Sequence, residues 1–111
     1  MTIESTKVGK AAVVKLIGRM DADTSKQFEA AWDKALKEGS TFLIVDLSEL
    51  TYINSAGIGS FLRNGKLAQE KGGALLISGL KGLVKEIFNL TQLTRVYPLF
   101  DSTDAACQSI A

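Results

Sequence analysis

The stretch Asn54-Ser55-Ala56-Gly57-Ile58-Gly59 brings a hydroxyl, a side-chain amide and two glycines together within six residues. Three kinds of chemistry fit such a set. Ser55 as a catalytic nucleophile needs a general base, and the chain has no histidine and no well-spaced lysine to serve as one. Gly57 and Gly59 suggest a phosphate-cradling turn, yet no third glycine stands at dinucleotide spacing and no Gly-Lys-Ser/Thr follows as in a P-loop. Close approach of a helix to its sheet explains the glycines better. The third chemistry is modification: a serine that accepts a group from another enzyme needs no activating partner of its own. It needs only exposure.

Exposure depends on the elements on either side. Phe42 to Val45 is a continuous apolar run of the kind expected for a strand buried on both faces, and Asp46 and Ser48 are read as ending it. From Ile58 onward, apolar residues recur at Phe61, Leu62, Gly65 and Ala68, which predicts one helix face with Arg63, Asn64 and Lys66 outside it. Asn54 and Ser55 therefore sit at a helix entrance, where unpaired amides and the helix dipole stabilise a side-chain oxygen or a phosphate. Ser55 either caps this helix itself or, if Asn54 or Thr51 caps, stands free at the first helical position.

Other polar candidates have simpler readings. Asp21 and Asp23 precede the first helix and read as a solvated cap and turn, with no third carboxylate at metal-ligand spacing. Trp32 lies on a helical apolar stripe and belongs to the core, and Cys107 reads as a minor packing residue.

Composition narrows the function classes. The 111 residues suit one domain, and 13 basic against 12 acidic residues, scattered along the chain, give no footprint for direct nucleic-acid binding. One cysteine and no histidine exclude a disulfide framework and a zinc spacing, which points to a reducing, cytoplasmic compartment. No apolar stretch approaches the ~20 residues of a membrane span, so no membrane insertion is expected. No metal or other cofactor is called for.

In chain order, Ile3–Val8 and Ala11–Ile17 predict a hairpin about Gly9-Lys10. Thr24 and Gln27 have capping-box spacing before a helix whose stripe is Phe28, Ala31, Trp32, Ala35 and Leu36, stopped by Gly39. The Phe42 strand and a helix over Ser55–Lys71 follow, then a strand at Ala74–Ser78 and a helical pattern through Leu80, Val84, Ile87 and Phe88. Val96–Phe100, with Pro98 inside, predicts a strand at a sheet margin, and Asp101-Ser102-Thr103 offers caps for a last short helix. This alternation defines an α/β domain: a small mixed sheet of about five strands, an amino-terminal hairpin followed by parallel strands, with helices packed on one side.

The order of elements, with Ile44-Val45-Asp46-Leu47-Ser48, Ile53-Asn54-Ser55-Ala56-Gly57-Ile58-Gly59 and Gly18-Arg19-Met20-Asp21, resembles the STAS domain, in particular the stand-alone bacterial anti-sigma factor antagonists. The resemblance covers essentially the whole chain. It implies a regulator, not an enzyme, in which Ser55 is phosphorylated by an anti-sigma factor that is also a serine-protein kinase, and reset by a serine phosphatase. It implies a docking surface of Asp21, Asp23, Ser48, Asn54, Ser55, Ala56, Gly57, Ile58 and Gly59 on a monomer or weak dimer. The family often has Asp before the acceptor and Ser or Thr after it. Asn54 and Ala56 stand there instead, which leaves Ser55 as the single acceptor in the motif. Two alternatives accompany this reading: a non-switching STAS scaffold or transporter-associated subunit, and a nucleotide- or lipid-binding module at the Gly57–Gly59 groove.

Overall fold

The computed structural model describes residues 2–110. Strands β1 (Thr2–Val8) and β2 (Ala11–Met20) form the expected hairpin, with Val8 opposite Ala11 and Gly9 taking a left-handed φ of 59° at the tight turn. Helix α1 (Ala22–Lys37), strand β3 (Phe42–Ile53), helix α2 (Ser55–Glu70), strand β4 (Ala74–Ser78), helix α3 (Gly82–Leu90), strand β5 (Leu99–Phe100) and helix α4 (Thr103–Ser109) follow. The five strands lie in sequence order in one sheet. β1 is antiparallel to β2, and the pairs β2–β3, β3–β4 and β4–β5 are parallel. Each parallel step is bridged by a helical crossover, so the mixed α/β sheet read from the pattern is the one formed.

Successive strand residues point to opposite faces, and the two faces carry separate cores. Val14 and Leu16 of β2, Leu43, Val45 and Leu47 of β3, and Leu75 and Ile77 of β4 face Phe28 and Trp32 of α1, Phe61 of α2 and Phe88 of α3. Phe61 sits between two aromatic neighbours, its ring centroid 5.2 Å from that of Phe28 and 5.7 Å from that of Phe88. The three longer helices thus form the single layer expected. The short α4 lies on the other face, where Ala106 joins Ala11, Ile44 and Leu76 in a small second core. The apolar residues of the central strands on that face are gathered towards their amino-terminal ends, Ala11 and Val13, Phe42 and Ile44, Ala74 and Leu76, so one two-turn helix suffices to cover them.

Several boundaries differ from the sequence reading. Asp21, not Thr24, caps α1: its carboxylate accepts the Thr24 amide at 3.0 Å and the Thr24 hydroxyl accepts the Asp21 amide at 2.7 Å. The capping box therefore starts one turn earlier, at Asp21-x-x-Thr24. Asp46 and Ser48 do not end β3, which runs on to Ile53. They mark where it leaves β4, whose last rung is Asp46 to Ser78, and where it bulges against β2. The Asp46 carboxylate accepts the Ser48 amide at 2.9 Å and so satisfies a donor that the bulge frees. On α2 the assignments of Leu62 and Asn64 exchange: Leu62 is exposed, while Asn64 is buried with its amide donating to the Ser60 carbonyl at 2.7 Å. β5 is limited to two residues, because Pro98 lacks an amide and Leu93–Arg95 forms a tight 3-10 turn before it.

Candidate functional site

β2 and β3 end together. Met20 and Ile53 are paired, both are buried, and the Asn54 amide donates to the Met20 carbonyl at 3.1 Å. The backbone of Asn54 is still extended, and its side-chain oxygen accepts the Gly57 amide at 3.1 Å, which makes it the N-cap of α2. Of the two arrangements left open by the sequence, the structure selects the one in which Asn54 caps. Ser55 then occupies the first helical position, exposed to solvent, and its hydroxyl makes no hydrogen bond among the described residues. Its backbone amide and that of Ala56 belong to the first turn, where the helix has no internal acceptors for them.

The two glycines separate in role. A Cβ on Gly57 would lie 2.7 Å from Cγ1 of Ile53 and 3.1 Å from Cγ of Met20, so only glycine lets α2 sit this close to the strand ends. A Cβ on Gly59 would meet a single atom, Nη1 of Arg63, at 3.3 Å. The close-packing explanation therefore holds for Gly57 and not for Gly59. Ala56 is half-buried, and Ile58 is half-buried against the core.

Asp21 lies directly after Met20, so the entrances of α1 and α2 are neighbours at one end of the sheet. The Thr24 backbone amide, followed by the Thr24 hydroxyl, holds the Asp21 carboxyl below its ordinary pKa of 3.8. Asp23 is exposed in the first turn of α1. Ser48 stands apart. It lines a groove with Gly79, Lys81, Lys85 and Asp101, five residues before the end of β3 and thus ~16 Å from it along an extended strand. Seven of the nine residues assigned to the docking surface surround the Ser55 entrance or share α2 with it; Asp23 opens α1 beside them, and Ser48 faces a different depression.

A further group escaped the sequence reading. Arg63 of α2 donates to Glu29 of α1 at 2.6 Å, and the Ser60 hydroxyl donates to the same carboxylate oxygen at 3.1 Å. The Arg63 hydrogen bond, more than any other influence, lowers the Glu29 carboxyl below its ordinary pKa of 4.5. Arg63 and Glu29 are 34 residues apart, and no local pattern links them. Among the described residues, no three His, Cys, Asp or Glu side chains gather where they could hold a metal ion. No described helix is long and apolar enough to cross a membrane.

A small mixed sheet with this strand order, three helices on one face and a serine at the mouth of the second helix defines a recognisable class. The chain belongs to the STAS domain family, whose profile matches residues 2–106. Its relatives include the Bordetella bronchiseptica protein BtrV, whose name places it among anti-sigma factor antagonists and which is 27% identical over 96% of this chain and 91% of its own length. The anti-sigma-B factor antagonist of Staphylococcus aureus is 25% identical over 94% and 96% of the two chains. Among solved structures, the anti-sigma factor antagonist SpoIIAA in its unphosphorylated form superposes with a TM-score of 0.86 at 19% identity, covering 98% of this chain and 96% of its own. The named relatives are thus anti-sigma factor antagonists, and the fold is theirs.

Proposed function

We propose that the protein is an anti-sigma factor antagonist controlled at Ser55. In the unmodified state the end of the molecule formed by Asp21, Asp23 and Asn54 to Gly59 docks an anti-sigma factor and so frees a sigma factor in the cytoplasm. That partner is also a serine kinase: the γ-phosphoryl group of a nucleoside triphosphate passes to the Ser55 oxygen, the diphosphate leaves, and the hydroxyl proton goes to solvent. A serine phosphatase restores the hydroxyl.

The observation that carries this reading is the free, exposed Ser55 hydroxyl at the first position of α2, left unused because Asn54 makes the cap. SpoIIAA, which shares the fold, has been solved in a phosphorylated form as well, and that form superposes on this chain with a TM-score of 0.79. A phosphate adds about −1.5 to −2 charges. The helix N-terminus accommodates them within the domain, whereas a partner surface has to desolvate them against its own contacts. The switch acts on affinity and leaves the fold in place.

Titration of the anti-sigma partner with Ser55→Ala and Ser55→Asp variants tests this. Ser55→Ala is expected to bind like the unmodified protein, and Ser55→Asp at least tenfold more weakly, about 1.4 kcal/mol, with no loss of thermal stability. Equal affinities for the two variants would overturn the reading.

A further inference from the structure

Gly59 has no packing reason to be glycine, and what lies over it is a cation. The Arg63 guanidinium is folded back along α2, with Nη1 3.3 Å from where a Cβ of residue 59 would be. Its other terminal nitrogen holds Glu29 at 2.6 Å, in a contact where the Arg63 side chain is 66% exposed. Residues 55 and 59 are i and i+4 on one helix face, where Cβ positions are about 5–6 Å apart. The guanidinium therefore stands over the position one helical turn beyond Ser55, where Gly59 carries no side chain.

We propose that Arg63 is the internal partner of a phosphate on Ser55, exchanging the Glu29 carboxylate for the phosphate across the gap that Gly59 leaves. This rests on the reading of Ser55 as the acceptor. The exchange is favourable in direction because a carboxylate offers one charge and a phosphate nearly two, with three acceptor oxygens. The planar guanidinium fork suits either anion, and an exposed arginine–glutamate pair is readily given up. Rotation about the side-chain bonds of Arg63 is the only movement required. Competing cations are less well placed: Arg19 is stacked on the Tyr52 ring at 4.4 Å, and Lys66 lies eleven residues beyond Ser55, ~16 Å along the helix axis. Once formed, the bridge covers the bare backbone between Ser55 and Gly59 and loosens the tie between α1 and α2, leaving Glu29 to Ser60. Phosphorylation then obstructs docking by covering the surface as well as by charging it.

The test uses full-length protein with phosphoserine installed at position 55 during translation, so that no kinase has to recognise the site. The second ionisation of the phosphate is followed by phosphorus NMR in the parent, Arg63→Gln, Arg63→Lys and Glu29→Gln proteins. Arg63→Gln is expected to raise this pKa by about 0.5 unit, a threefold change in proton affinity. Arg63→Lys should restore part of the difference, and Glu29→Gln, which frees the guanidinium, should lower the pKa below that of the parent. An unchanged pKa in Arg63→Gln would overturn the proposal. A protein whose Ser55→Ala and Ser55→Asp variants bind the partner equally would instead defeat the functional reading, and this titration would still report on Arg63.

Discussion

The side-chain oxygen of Asn54 accepts the Gly57 amide at 3.1 Å, and through that bond the hydroxyl of the next residue is left without a structural task. The division of labour between adjacent residues makes a cap and a free acceptor compatible at one helix entrance. Asn54→Ala is expected to cost about 1 kcal/mol of stability, whereas Asn54→Asp, which keeps an acceptor and adds negative charge at the helix N-terminus, should be neutral or gain a few tenths. Urea denaturation of the two variants measures both. A loss in Asn54→Asp as large as that in Asn54→Ala would contradict the assignment of the cap.

Gly57 and Gly59 should respond to alanine with opposite signs. At Gly57 the new methyl meets the buried side chains of Ile53 and Met20. Overpacking costs about 1–3 kcal/mol, only partly offset by the ~1 kcal/mol gained in helix propensity. At Gly59 the methyl meets only the exposed tip of Arg63, so Gly59→Ala should stabilise by up to about 1 kcal/mol. Thermal unfolding of the pair settles the comparison, and a shared sign would show that the two positions are packed alike.

Acid should weaken the fold through Glu29 and Asp21. Both carboxyls titrate below their ordinary values in the folded protein, Glu29 chiefly because of Arg63 and Asp21 chiefly because of the Thr24 amide. The unfolded chain therefore binds more protons at acid pH. The stabilisation is fully present above the ordinary values of 4.5 and 3.8 and is lost as pH falls through the lower, folded ones. With half-exposed partners, Glu29→Gln should cost no more than about 1 kcal/mol near neutrality. The gap from the parent should close as pH drops below about 4.5, whereas a mere packing defect would leave it unchanged with pH.

Tyr97 fastens the far half of α2. Its hydroxyl donates to the Phe61 carbonyl at 2.9 Å, and its ring lies where a Cβ on Gly65 would sit, 2.6 Å from Cε1. Tyr97→Phe removes one buried hydrogen bond and should destabilise by about 1 kcal/mol. Gly65→Ala should cost more, since ring and helix cannot both stay in place. Because both lie away from Ser55, neither should change partner affinity once temperature is set well below unfolding.

The parts of this fold that were legible in the sequence are those whose physics is local. The stripe Phe28, Trp32 and Ala35 marked α1, the run at Phe42 marked β3, and the sudden change of period after Asn54 marked the site itself. What stayed hidden depends on neighbours distant in the chain. The second half of β3 looks like a loop because Asp46, Ser48, Glu49 and Thr51 interrupt its apolar residues, and only pairing with β2 makes it a strand. Two residues, Asp21 and Thr24, each had the chemistry to cap α1, and the capping-box spacing of Thr24 to Gln27 favoured the one that answers the cap instead of making it. Asn64 is polar yet buried because Ser60 one turn earlier satisfies its amide. The Glu29–Arg63 tie was invisible for a plainer reason: it joins two helices whose relative placement is a property of the whole sheet.

Strands β2 and β3 outlast the strands on either side of them. Among the described residues the last rung to β4 is at Asp46 and β1 reaches β2 as far as Ile17, so Gly18–Met20 and Leu50–Ile53 run on as a two-stranded peninsula. Met20 and Ile53 anchor its helix side in the core, while Arg19 stacks on Tyr52 at 4.4 Å along the other. Ser55 is carried at the tip of this promontory, beyond the shoreline of the sheet. On the reading of Ser55 proposed above, a partner meets a ridge with one open slope, that of Arg19 and Tyr52, in place of a flat wall.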